Sequence, residues 1–123
     1  MKLIEIFSII LIHWFADFVL QTDKQAKGKS KNNRDLISHT SFYSLIWLVI
    51  GSIYCYILNL SPILVIYFYL ITFVAHTITD YFTSRLNSRL WAKGDVHNFF
   101  VSVGFDQVLH YVQLFTTYWL LKQ

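Results

Sequence analysis

The sequence predicts an all-α, polytopic membrane protein: a four-helix transmembrane bundle with a weak two-fold helical-hairpin repeat. Three observations carry that reading. Hydrophobic residues make up 55% of the 123 positions and charged residues only 14%, too apolar for an ordinary soluble domain. The apolar residues gather in four stretches, Leu3–Leu20, Thr40–Leu58, Ile63–Phe82 and Phe99–Leu121. Each is close to the ~20 residues an α-helix needs to cross ~30 Å of hydrocarbon. The Lys and Arg residues collect between the stretches and are scarce within them. Membrane β-strands would be about half as long and would alternate in polarity, which these stretches do not.

A chain of this length is one domain, residues 1–123, with helices expected at about 3–21, 37–58, 63–84 and 97–121. Lys2 before an apolar run resembles the start of a signal peptide. However, His13 and Asp17 interrupt the run, and "QTDKQAKGK" offers no small-x-small cleavage pattern, so the segment is expected to stay as a span. Lys24, Lys27, Lys29, Lys31 and Arg34 fall in the first connection, 22–36, and Arg85, Arg89 and Lys93 in the third, 85–96. The middle connection, "NLSPI", carries no charge. By the positive-inside rule both basic loops face the cytoplasm and both termini face outside, the multi-pass arrangement of an integral membrane protein. The basic balance therefore reports orientation and contact with membrane lipids; nucleic acid is not expected, since no exposed basic and aromatic platform accompanies it. So small a bundle is also compatible with self-association into a homo-oligomer. Cys55 has no partner within the chain and is read as a small packing residue.

The connections carry local signals. Gly28 and the Asn32–Asn33 pair read as turn formers in a loop mobile at its centre, with Asp35 or Ser38 as candidate caps of the second helix. Leu86, Leu90 and Trp91 share a helical face from which Arg85, Arg89 and Lys93 largely depart, predicting a short interfacial helix. Pro62 is placed at the opening of the third helix.

Ionisable residues inside the spans carry the chemistry. His13 and Asp17 lie four apart, with Gln21 four further on; His76 and Asp80 repeat the spacing; Asp106, Gln107 and His110 lie on the fourth helix, and His39 opens the second. Residues four apart stand one turn apart on one helix face. At 1.5 Å per residue, Asp17 and Asp80 come ~7 Å from the cytoplasmic helix ends, His13, His76 and Asp106 ~13 Å, and His110 ~19 Å. An Asp near the bilayer centre costs ~3 kcal/mol, so such groups must face inward and compensate one another. Polar glue between helices explains any single pair. Seven residues from four helices at similar depth predict a metal site of His13, Asp17, His39, His76, Asp80, Asp106 and His110. Imidazole with carboxylate suits divalent Zn, Mn or Fe, as one ion or two. Gln21 and Gln107 are expected to hydrogen-bond behind the ligands, and Asp17, Asp80 and Asp106 to share catalytic base duty. Arg85 is a candidate phosphate contact. His97, beside Asp95 and Asn98, reads as a cap or surface histidine. The repeat pairs His13, Asp17 and His39 with His76, Asp80 and His97.

"HWFADFVLQT", the histidine opening the second helix, "HTITDYFTSR" and "DQVLH" together resemble the family catalogued as domain of unknown function 3307. Its members are small membrane proteins of bacteria and phages, and the resemblance spans nearly the whole chain. It carries onto His13, Asp17, Gln21, His39, His76, Asp80, Asp106, Gln107 and His110, not onto His97, and implies no particular reaction. In layout alone the chain is also similar to membrane-bound metal-dependent hydrolases. Three functions follow. One is metal-dependent hydrolysis of a lipid or phosphoester. Another is transport or sensing of protons or metal ions, for which the outer halves look too apolar to give a through-path. The third is a non-catalytic bundle held by polar contacts.

Overall fold

The computed structural model describes residues 1–123 and contains helices and turns but no strand. Its elements are α1 (Leu3–Trp14), a π-helical turn (Phe15–Val19), α2 (Asp23–Gly28), α3 (Asn33–Ile57), α4 (Ile63–Ala92) and α5 (Val96–Leu121). α4 packs along both α3 and α5, while α1 leans on α5 and its π turn touches α3. Near one end, Glu5 of α1 pairs with Lys122 just past α5, and the Tyr54 and Tyr118 hydroxyls meet at 2.8 Å. The start of α1 thus meets the ends of α3 and α5, so neighbouring helices run antiparallel.

The boundaries depart from the sequence reading in four places, each for a local reason. The first helix is not α-helical throughout, because one π turn closes it with Leu20 N–H donating to Phe15 O over 3.0 Å. The first basic loop holds a short helix, α2, fixed by a capping box between Thr22 and Gln25. α3 begins before residue 37 because Asn32, rather than Asp35 or Ser38, caps it; the Asn32 side chain accepts from the Asp35 N–H at 2.8 Å. No separate interfacial helix follows the third span. Nothing between Asp80 and Ala92 breaks the helix, and α4 continues until Gly94 turns the chain at φ 72°. Pro62 stands at the cap position directly before α4.

Two helices, α3 and α4, are long and apolar enough to cross a membrane, with best-window mean hydropathies of 1.5 and 1.7. The partition between inside and outside is inverted relative to a water-soluble bundle. Buried positions include His13, Asp17, His39, Thr40, Ser44, Thr72, His76, Asp80, Asp106, His110 and Thr117, against eight hydrophobic residues. Large apolar side chains face outward on every long helix, among them Phe7, Leu11, Val49, Ile53, Leu70, Val74, Phe105 and Val112. The small apolar core is Ile9, Ala16, Tyr43, Trp47 and Leu114, level with the polar cluster or on its termini side.

Candidate metal centre

Each long helix delivers its polar stripe to one place. Asp17 sits in the π turn, where the widened backbone sets its carboxylate 3.0 Å from His39 Nε2 on α3. π turns recur at functional sites because they re-aim side chains without ending the helix. His39 is fully buried because α3 starts at Asn33, over a turn before it. His76 Nε2 lies 3.3 Å from His39 Nε2, 3.5 Å from Asp17 Oδ1 and 3.6 Å from Asp80 Oδ2. His110 Nε2 reaches Asp80 Oδ1 at 3.2 Å and Asp106 Oδ1 at 3.3 Å.

Two groups of candidate ligands result, Asp17–His39–His76–Asp80 and Asp80–Asp106–His110. Within each, one ligand atom per residue lies within 4.8 Å of all the others, and Asp80 belongs to both. Asp80 and His110 meet although they were expected ~12 Å apart in depth, because that count ended α4 too early. Measured from the true turn, Asp80 stands 12 residues before Ala92 and His110 14 after Val96, about 18 and 21 Å deep.

The donor set fits a cation. His39 Nε2 faces Asp17 at 3.0 Å, His76 at 3.3 Å and Asp80 at 3.4 Å. A single ring proton cannot serve three acceptors, and two imidazole nitrogens face one another across the same space. Around these atoms several further polar groups are engaged, whereas His76 Nδ1 is buried without a partner. The Tyr43 hydroxyl bonds His13 Nδ1 at 2.7 Å, and His13 Nε2 donates to Gln107 Oε1 at 2.9 Å. Gln107 Nε2 donates to Asp106 Oδ2 at 3.1 Å, and the Thr83 hydroxyl to Asp106 Oδ1 at 2.6 Å. The Tyr43 ring stacks on His76 at 3.9 Å, and His76 on His110 at 4.2 Å.

A family model described as a protein of unknown function, DUF3307, matches residues 6–123. The chain belongs to the DUF3307 family. No curated protein and no solved structure matches it.

Within this DUF3307 chain, all seven residues singled out from sequence are buried in one cluster, but not in equivalent places. His13 falls outside both ligand groups, since Tyr43 and Gln107 take its ring nitrogens. Gln107 bonds Asp106 and His13, whereas Gln21 Oε1 is buried without a partner and bonds none of the seven. Arg85 donates to Tyr81 O and to Asn33 Oδ1, each at 2.8 Å, and stacks over the Tyr81 ring, so its guanidinium ties α4 to the start of α3. His97 is exposed, which ends the internal repeat there; Asp106 and His110 fill the corresponding part of the cluster.

Sequence reasoning missed Tyr43, Thr83 and Lys29. Tyr43 was findable, four residues after His39 on the same face. Lys29 was not, because nothing in a polar loop says where its side chain reaches. Its ammonium lies 2.8 Å from Asp80 Oδ2. Burial alone would lower its pKa, but the Asp80 and Asp17 carboxylates outweigh burial and hold it above the ordinary lysine value, so Lys29 is charged at neutral pH.

Proposed function

We propose that the protein is a membrane-embedded metal-binding protein whose His/Asp centre supports hydrolysis of a lipid or phosphoester. The observation that carries this is the convergence of six buried ligand side chains from four helices, with Asp80 shared between two ligand groups. Intramembrane ionisable residues gathered in this way are functional by default. The inverted partition supports the bilayer setting, with all four long segments spanning, both basic loops cytoplasmic and both termini outside. Apolar residues on every outer face suit lipid, and a helical backbone satisfies its own polar groups there.

Asp17, His39, His76, Asp80, Asp106 and His110 would hold a divalent Zn, Mn or Fe ion. Such an ion makes bound water acidic enough to attack an ester at neutral pH. The chain's own residues supply the rest. Asp17 Oδ2 is the least engaged carboxylate oxygen, with His13 Nε2 at 3.8 Å, and is placed to take a proton. Thr83 and Gln107 hold Asp106 in one orientation, while Tyr43 and the His76–His110 stack fix the imidazole planes. Toward the termini lies a cavity of about 770 Å³ lined by Ile9, Ile12, Trp47, Val65 and Phe68 among others, within the ~300–1,000 Å³ of small-molecule sites. Trp47 lies edge-on to Tyr43, linking the cavity wall to the centre, and the apolar lining suits a lipid chain.

Metal analysis of detergent-purified protein tests the proposal. Stoichiometric Zn, Mn or Fe in the wild type, lost in His110→Ala and Asp106→Ala, is the expected result. A wild type that holds no metal and takes up none from added salts leaves the polar-glue bundle standing instead. One observation favours proton or ion relay as a second reading. Gln113 Nε2 donates to Thr72 at 3.2 Å and Thr117 at 3.1 Å, extending the polar line a turn or more beyond His110. Flux through reconstituted vesicles, abolished by Gln113→Leu, would select that reading over hydrolysis.

A further inference from the structure

The centre offers two overlapping ligand groups, which by itself suggests two ions, as in dinuclear hydrolases with ions ~3.5–4 Å apart. Lys29 changes that count. Its ammonium reaches Asp80 Oδ2, the oxygen that faces His39 at 3.4 Å and His76 at 3.6 Å. We infer that Lys29 permanently fills the first cation position, beside Asp17, His39 and His76, and that the centre takes a single divalent ion, held by Asp80 Oδ1, Asp106 and His110. This inference rests on the metal-binding reading above.

Charge supports it. Three buried carboxylates, Asp17, Asp80 and Asp106, are neutralised by one divalent ion plus the ammonium when the histidines are neutral. Two divalent ions beside the ammonium would leave two surplus positive charges, which a dry bundle penalises heavily. Coordination agrees, since three protein ligands leave a position open for water, the arrangement of catalytic rather than closed sites.

The ammonium is also delivered by a braced segment. Thr22 and Gln25 cap α2, Gln25 Nε2 donates to Ser38 on α3 at 3.2 Å, and the Lys31 and Asn32 N–H groups both bond Gly28 O. Gly28 lies so close to α3 that a Cβ there would come 2.0 Å from Asp35 Oδ2. A side chain there would force Asp35 aside, so the turn bearing Lys29 is held close against the start of α3.

The test is a zinc count per chain by mass spectrometry, after equilibrating purified protein with Zn²⁺ alone and removing the excess. Wild type and Lys29→Arg are expected to hold one equivalent and Lys29→Met two. Asp106→Asn is expected to lose the single ion, while Lys29→Met with Asp106→Asn keeps one. Gly28→Val retains the lysine but displaces its turn; it too is expected to rise to two equivalents, and it stands in should Lys29→Met fail to fold. Two equivalents in the wild type overturn the inference, as does a single equivalent in both Lys29→Met and Gly28→Val. No zinc in any variant overturns the metal reading beneath it, which is a separate result.

Discussion

Tyr43 shows how much of the cluster depends on residues outside both groups of candidate ligands. Its hydroxyl bonds His13 Nδ1, its ring covers His76, and it is completely buried. Tyr43→Phe should lower stability by about 1–2 kcal/mol, because it leaves His13 Nδ1 buried and unpaired, while helix content stays unchanged. Unfolding in mixed detergent, followed by circular dichroism, measures this. A change of less than about 0.3 kcal/mol would mean that water or another side chain replaces the hydroxyl. His13 differs from the other histidines for the same reason. His13→Gln should weaken metal retention by less than His110→Ala does, since of the two only His110 belongs to a ligand group.

At the scale of elements, caps decide where the polar stripes sit. Asn32 starts α3 early enough to sink His39, so Asn32→Ala should cost about 0.5–2 kcal/mol and fray the turn preceding His39. Faster amide exchange at Asp35 and Leu36 is the expected sign. α5 is capped by Asp95, whose carboxyl accepts the Asn98 side-chain and backbone N–H groups and is held below the usual carboxylate range. A lowered folded-state pKa stabilises above the unfolded value of ~3.9 and is lost as pH falls through the folded value. The Asn98 amide resonance should therefore stay constant from neutrality to about pH 4 and move only in stronger acid. A midpoint near neutrality would contradict the cap. The Thr22–Gln25 box that builds α2 is legible in "TDKQ", and Asn32 before "NRD" likewise, but the turn-forming residues that dominate the loop mask both signals.

For the whole molecule, the inverted partition predicts behaviour that no local contact can. The protein should remain with membranes after alkaline carbonate washing. With Cys55 replaced by Ser, single cysteines at Lys27 and Lys93 should react with an impermeant maleimide only from the cytoplasmic side. One at Lys2 should react only from outside. Labelling of Lys2 from the same side as Lys27 would exclude the four-span arrangement and leave α3 and α4, the two helices long and apolar enough by composition, as the only spans.

The sequence by itself determined the helical class, the inward residues and their convergence. Four-residue spacing fixes a helix face, and the cost of polar groups in an apolar segment leaves that face only one direction to point. It could not determine which histidine joins a group of candidate ligands and which stands outside, as His13 and His76 occupy equivalent positions in the same motif. Only the packing of α3 and α5 gave His13 two hydrogen-bond partners and left His76 Nε2 among carboxylates. Lys29 was equally beyond sequence reach. A long side chain in a polar loop has no periodicity, and its place on Asp80 depends on the tertiary packing of α2 against α3.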